Sequence, residues 1–340
     1  MIEIHGEPIA SPQAWTAREL GGRDALVQSL DRASLRALDA LALSLRGRDF
    51  PQITRRDASD PAIAEPLARV RRAVMEGPGL AVLRGPDPSR YDPQDYARLY
   101  WALGTHLGEG AVQSVFGDYV ARVERNPSLP WRGTTTDMEL RPHTDFHEVM
   151  SLASVSLARE GGVSGFLSSL AVHNEILRTR RELLAPLYEG WYNVSPLHRR
   201  VSARKTPIYC RVGGAVSCFY NRVFFAKPEE APEPFAPALA QAMAHMDLLC
   251  AREDLIVRFI LEPGEIVFWH NFLVMHSRTA FHDDADHRRL LLRLWLNVPD
   301  GRPMADEIKA RARIIDRDHI EGRRPPEGAE RPPAPAWRRG

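Results

Sequence analysis

Apolar residues recur at helical spacing along the early part of this chain and at a spacing of two along much of the rest. Leu26, Val27, Leu30, Leu38, Leu41, Ala42 and Leu45 share a helical stripe, so residues 1 to 78 are predicted to be helical and accessory, with that stripe turned to the core. Gly77-Pro78-Gly79 ends the last of these helices, and Leu80-Ala81-Val82-Leu83 reads as a first buried strand. Asp92 and Pro93 suit an N-cap and first helical position, opening a helix through Tyr100 and Trp101 to Gly104. Between 105 and 140, Gly108, Gly110, Gly117 and Gly133 fall among polar residues, the composition of loops. Helical patterns resume over 171–187 and 237–251.

Towards the C-terminus the period shortens. Val257, Phe259 and Leu261 alternate with Ile256, Arg258 and Ile260, and Glu262-Pro263-Gly264-Glu265 forms a turn before a second apolar strand over 266–269. Further on, Leu290, Leu292, Leu294 and Leu296 share one face of a strand, and Arg289, Leu291, Arg293 and Trp295 the other. The leucine face is core. The opposite face carries two guanidinium groups about 13 Å apart along the strand, and arginine is rarely buried without a partner. In isolation this is an edge strand with a solvated basic face. Beside a metal-ligand pattern it becomes a wall whose arginines fork onto a ligand's carboxylates.

Such a pattern is present. His143 and Asp145 stand two apart, a spacing that in an extended strand sends both side chains to one face, with Cα atoms about 7 Å apart. His276 follows the 266–269 strand closely and supplies a third ligand. Two histidines and one carboxylate make a facial triad, which leaves the opposite face of an Fe(II) ion open. The alternative is that these are ordinary core or surface residues.

In this order, His143-Thr144-Asp145, Gly161-Gly162-Val163-Ser164 leading to Ser168-Ser169-Leu170-Ala171-Val172-His173-Asn174, Pro263-Gly264-Glu265, Asn271, His276-Ser277-Arg278-Thr279-Ala280-Phe281, and Arg289 with Arg293 together resemble a known family. It is the taurine/2,4-dichlorophenoxyacetate dioxygenase (TauD/TfdA) family of Fe(II)- and 2-oxoglutarate-dependent oxygenases. The likeness spans roughly residues 80 to 300. It implies a mixed α+β fold, a double-stranded β-helix (jelly-roll, cupin-like) core with a helical N-terminal region and helical insertions. One oxygenase domain over 1–322 would hold the accessory region 1–78 and the core 80–300.

The resemblance also implies roles. His143, Asp145 and His276 would ligate iron. 2-Oxoglutarate would chelate it through the keto oxygen and adjacent carboxylate, with O2 taking the remaining position. Arg289, helped by Ser164, would pair with the distal carboxylate of 2-oxoglutarate. Arg293 would lie nearer the iron, on the cosubstrate's other end or on an acidic group of the substrate. The implied reaction hydroxylates an unactivated C–H bond of a small carboxylate- or amino-acid-like substrate and releases succinate and CO2. Halogenating relatives replace the carboxylate ligand with a small apolar residue, and Asp145 is retained. A desaturase or oxidative decarboxylase on the same iron is the alternative within enzymes. A non-catalytic cupin-like metal-binding protein is the alternative outside them, and it would leave Arg289, Arg293 and Ser164 without a purpose.

The chain departs from the family where Trp269-His270-Asn271 stands in place of a common Asp-Asn. His270, His147 and Gln113, with Arg293, are substrate-side candidates. His147 shares the ligand face if the strand runs on past Asp145. Arg278 is read as a brace. Phe116, Tyr119, Tyr220 and Phe224 are candidates for an apolar wall.

Composition narrows the setting. At 340 residues and 44% hydrophobic the chain can bury a substantial core. A net charge of +1 gives no sign of a nucleic-acid or membrane partner, and no apolar run approaches the roughly 20 residues needed to span a bilayer. The start lacks the basic and apolar regions of a signal peptide. Cys210, Cys218 and Cys250 are odd in number and widely spaced, as in a reducing cytosol, so a cytoplasmic location is expected. Residues 323–340, rich in Pro and Arg, read as a mobile tail. No oligomeric state is specified.

Overall fold

The computed structural model describes residues 3–114, 116–127, 133–195 and 200–321, without the side chains of 317–321. Two sheets face one another. The larger runs in the order Val27–Ser29, Leu80–Arg84, Glu265–His270, Val149–Ser156, Leu290–Asn297, with Glu109–Gly110 and Ala121–Val123 both pairing to the last of these. The smaller runs Ile256–Phe259, Ser164–Ser168, Val274–Arg278, Leu140–His143. Apart from the parallel pair at the Val27–Ser29 edge, these ladders are antiparallel. This is the expected double-stranded β-helix.

Side-chain parity divides the larger sheet cleanly. Val82, Met150, Val267, Trp269, Leu291 and Trp295 point into the sandwich, where they join Phe166 and Val274 of the smaller sheet. Ala81, Leu83, Ile266, Phe268, Leu292, Leu294 and Leu296 point outward. There they meet the helices Arg32–Ser44, Pro61–Met75 and Pro93–Gly104, through Leu38, Leu41, Leu67, Val70, Tyr96 and Tyr100. Each fully buried leucine or valine here contributes roughly 1.5–3 kcal/mol. The three helices start as their sequences dictate: Asp31, Asp60 and Asp92 cap them, accepting from Ser34, Ala62 and Gln94 N–H groups.

Some expectations need correcting. Residues 27–29 form a strand, because they pair with Val82–Arg84 at the sheet edge, and the helical stripe begins only at Arg32. The 171–187 helix is two, Ser169–Thr179 and Leu184–Glu189, joined by a short 3-10 turn. The 262–265 turn is where it was expected. It carries the chain from the smaller sheet to the larger one, with Gly264 at φ +83°. The Leu290–Asn297 strand is the wall that was expected and not an edge: Leu291 and Trp295 are as buried as the leucines behind them. A helix, Asp306–Glu321, follows the last strand. The tail expected over 323–340 lies outside the described residues.

Candidate active site

His276 sits in Val274–Arg278 directly opposite His143, the last residue of Leu140–His143. Opposed residues of an antiparallel pair project to the same face, so the two imidazoles lie side by side, centroids 4.2 Å apart. Trp269 backs His276 at 4.8 Å. Nδ1 of His143 lies 2.8 Å from the Arg141 carbonyl and donates to it. Its Nε2 is 3.9 Å from Asp145 Oδ1. Burial pushes the His276 imidazole down to about 3, so that ring is neutral and competent as a ligand.

Asp145 arrives differently. The strand ends at His143, so the pleat does not carry Asp145 to the site, contrary to the spacing argument. Side chains hold it instead. Asn271 accepts from the Asp145 N–H at 2.8 Å and donates to its carbonyl at 2.9 Å. Thr144 is tied to the Tyr220 backbone through its N–H and its hydroxyl, and to the Asn221 amide. Of the carboxylate oxygens, Oδ2 accepts from the Trp295 indole N–H at 3.2 Å and faces Arg293 Nη1 at 3.6 Å. Burial acts to raise this carboxyl, but Arg293, the two histidines and the Trp295 N–H outweigh it and hold it below the usual range.

The donor atoms of His143, Asp145 and His276 all lie within 4.8 Å of one another. Two imidazoles and one carboxylate are the donor set that suits non-heme Fe(II). Nδ1 of His276 is also buried without a hydrogen-bond partner, a costly state unless something coordinates or bonds it. The residues fit the metal.

Beyond the metal cluster lies a pocket of arginines. Arg289 is buried, its backbone N–H bound to Asp283 and its guanidinium 5.2 Å above the Phe281 ring. Arg278 lies 4.7 Å from the same ring and donates to the Thr136 and Met138 carbonyls. Burial lowers Arg289 to about 9, with Arg278 adding to the effect, and lowers Arg278 to about 10. Nη1 of Arg289 and both Nε and Nη1 of Arg278 are buried without partners. Donors left in this state match a carboxylate ligand. Gly162, at φ +71°, makes room: a Cβ there would stand 2.9 Å from Arg289 Nε. Ser164 is buried and pairs in register with Arg278.

Arg293 projects inward beside the metal cluster. Its Nε donates to Gln113 Oε1 at 2.9 Å, and its guanidinium lies 4.4 Å above the Trp295 ring. Gln113 donates in turn to the Arg293 and Tyr119 carbonyls, so its amide holds Arg293. His147 stacks on Trp295 at 4.8 Å and bonds Asp316 of the C-terminal helix at 2.8 Å. It does not share a strand face with Asp145, because the strand has already ended. His270 has the parity of Phe268, opposite to Trp269, and its Nε2 lies 3.2 Å from Glu148. Of the proposed apolar wall, Tyr119 packs outward on Phe50 and Trp101, Tyr220 bonds Asp247, and Phe224 lies 4.9 Å from Phe146. Trp295 and Asp316 went unnoticed as site residues. Only the alternation of the last strand, which puts Trp295 on the Arg293 face, hinted at the first.

A jelly roll that gathers two histidines, an aspartate and a buried arginine at one end defines a non-heme iron oxygenase. The pattern of the family described as "Taurine catabolism dioxygenase TauD, TfdA family" matches residues 46–295. The chain belongs to this family, and is an Fe(II)- and 2-oxoglutarate-dependent dioxygenase that uses O2. It is 26% identical over 319 residues to FR-33289 synthase of Streptomyces rubellomurinus, covering 89% of this chain and 94% of that protein. It is also 26% identical over 300 residues to the taurine hydroxylase-like protein SAT17 of Stachybotrys chartarum, covering 82% and 77%. In fold it is similar to an asparagine oxygenase in complex with Fe(II), 2S,3S-3-hydroxyasparagine and succinate (TM-score 0.64, 17% identity, 80% of this chain and 93% of that one). It is likewise similar to the non-heme iron oxygenase OrfP in complex with Fe and alpha-ketoglutaric acid (TM-score 0.62, 17% identity, 80% and 94%). Among the described residues, no helix is long and apolar enough to cross a membrane.

Proposed function

We propose that His143, Asp145 and His276 hold the iron, that Arg289 and Ser164 receive the distal carboxylate of 2-oxoglutarate, and that the substrate is a small amino-acid-like carboxylate hydroxylated at an unactivated C–H bond. The observation that carries this reading is the approach of the three donor groups to within 4.8 Å. Bound there, iron and 2-oxoglutarate supply the oxidative decarboxylation that activates O2 and releases succinate and CO2.

The chain's own residues do the rest. Arg289 offers a desolvated fork to a carboxylate, with Phe281 as its floor. Asp145 stays ionised, and the His276 imidazole stays neutral. Arg293, fixed by Gln113 and Trp295, sets a positive charge at the edge of the metal cluster. That charge suits an anionic group of the substrate, and the hydroxyasparagine and (3S)-hydroxy-L-Arg complexes of the structural relatives point the same way. Three buried free cysteines fit a reducing, cytoplasmic setting. The N-terminal helices share a core with the larger sheet, which supports one folding unit through residue 322.

The test is anaerobic addition of Fe(II) and 2-oxoglutarate to the apoprotein. A weak visible charge-transfer band is expected only with both, and is lost in His276→Ala. Metal bound without any band would overturn the cosubstrate site. Candidate amino acids are then screened by coupled succinate release.

A further inference from the structure

Side chains are stacked through the site in one continuous column. Gln113 holds Arg293. Arg293 lies over one part of the Trp295 indole at 4.4 Å. His147 stacks nearly parallel on the same indole, centroids 4.8 Å apart at 20°. Nε2 of His147 ends the column on Asp316, 2.8 Å away. The helix carrying Asp316 is itself anchored: Ile308 and Ile315 are buried in the core, and Arg311 donates to the Val194 carbonyl at 2.6 Å. Two members of the column meet the metal cluster at the same atom: the Trp295 N–H donates to Asp145 Oδ2 at 3.2 Å, and Arg293 Nη1 lies 3.6 Å from it. Oδ1, by contrast, is the oxygen that faces His143.

We infer that the Asp306–Glu321 helix positions the metal-binding carboxylate: Asp316, acting through His147 and Trp295, holds Oδ2 of Asp145 away from the metal so that only Oδ1 coordinates. The inference rests on the reading of His143, Asp145 and His276 as ligands. A carboxylate free to rotate can chelate through both oxygens and so occupy a position that the reaction needs for cosubstrate or O2. A donor fixed on Oδ2 prevents this, because a chelating carboxylate would have to give up the indole N–H and approach Arg293 less closely. The indole is large and rigid, but its direction depends on what is stacked on it. His147 provides that surface, and Asp316 fixes the His147 ring. Asp316 lies beyond the stretch matched by the family pattern, which ends at residue 295.

Co(II), whose visible d–d bands report coordination number, is the probe. It is titrated anaerobically into wild type, Asp145→Ala, Trp295→Phe, Asp316→Asn and the Trp295→Phe/Asp316→Asn double variant, each checked by thermal melting. Trp295→Phe keeps an aromatic ring in the stack and removes only the N–H. It is expected to weaken Co(II) binding about tenfold, the low end of what loss of a ligand's outer partner costs, and to change band intensity as the carboxylate turns. Asp316→Asn is expected to weaken binding about threefold, and the double variant to match Trp295→Phe alone, since Asp316 acts through the indole. Wild-type affinity and bands in Trp295→Phe would overturn the inference, as would an Asp316→Asn effect that adds in full to that of Trp295→Phe. A wild-type protein that binds no Co(II), or binds it equally without the Asp145 carboxylate, would instead sink the ligand assignment itself.

Discussion

The two histidines and the aspartate reach the same point by different routes. His143 and His276 are set by a ladder: their strands pair, and register alone puts the rings 4.2 Å apart. Moving either histidine requires the strand to slip, which would turn every neighbour to the wrong face. Asp145 stands past the end of its strand and is set by Asn271, Trp295, Arg293 and the Tyr220 backbone. A position fixed by backbone pairing survives many nearby substitutions. A position fixed by side chains depends on each of them.

The largest effects come from removing a ligand, whichever way it is held. Asp145→Ala and His276→Ala should both drop succinate release to background while melting within a few degrees of wild type. Turnover in either one would break the comparison at its root. Next is Arg289→Met, which acts outside the metal cluster. It should raise KM for 2-oxoglutarate by about 10²-fold, the loss of a buried charge-assisted pair. It should also raise Tm without cosubstrate, because an unpartnered buried guanidinium is costly. Added 2-oxoglutarate should then stabilise wild type and not the variant.

Asn271→Ala sharpens the contrast between the two kinds of support. Two hydrogen bonds to the Asp145 backbone are lost, so stability should fall by about 2 kcal/mol and metal affinity by about tenfold. Met275→Leu, beside His276 on its strand, should leave affinity within about twofold, because volume and register are kept. Equal losses in the two variants would erase the distinction. The smallest effect is expected from Gln113→Leu: a KM for substrate raised by about fivefold through a loosened Arg293, with the KM for 2-oxoglutarate unchanged.

What could be read from the sequence follows the same division. The ligand histidines, the two-faced Leu290–Asn297 strand and the Asp92-capped helix all lie in local patterns that backbone geometry enforces. Val149–Ser156 was not legible as a strand. Both its faces are buried and carry small serines among the apolar residues, so the contrast between inside and outside disappears. Val27 was assigned to a helix because adjacent apolar residues fit either period, and only the pairing of Val27–Ser29 with Val82–Arg84 decides between them. His270 stood out because Trp269-His270-Asn271 departs from the family's common Asp-Asn, yet its strand parity is opposite to that of Trp269. The contacts of Trp295 with Asp145 and of His147 with Asp316 join residues remote in the chain, and no local spacing encodes them.

The order of strands in the larger sheet has a consequence in time. Its members come from residues 27–29, 80–84, 149–156, 265–270 and 290–297, interleaved so that the second strand pairs with 265–270, and 149–156 lies between 265–270 and 290–297. During synthesis the sheet cannot close until nearly the whole chain has emerged. Before then the first strands and the helices behind them wait with apolar faces uncovered. Topologies so rich in distant contacts fold slowly and are exposed to aggregation meanwhile. The strand order therefore leaves the first hundred residues dependent on shelter until the last strand arrives.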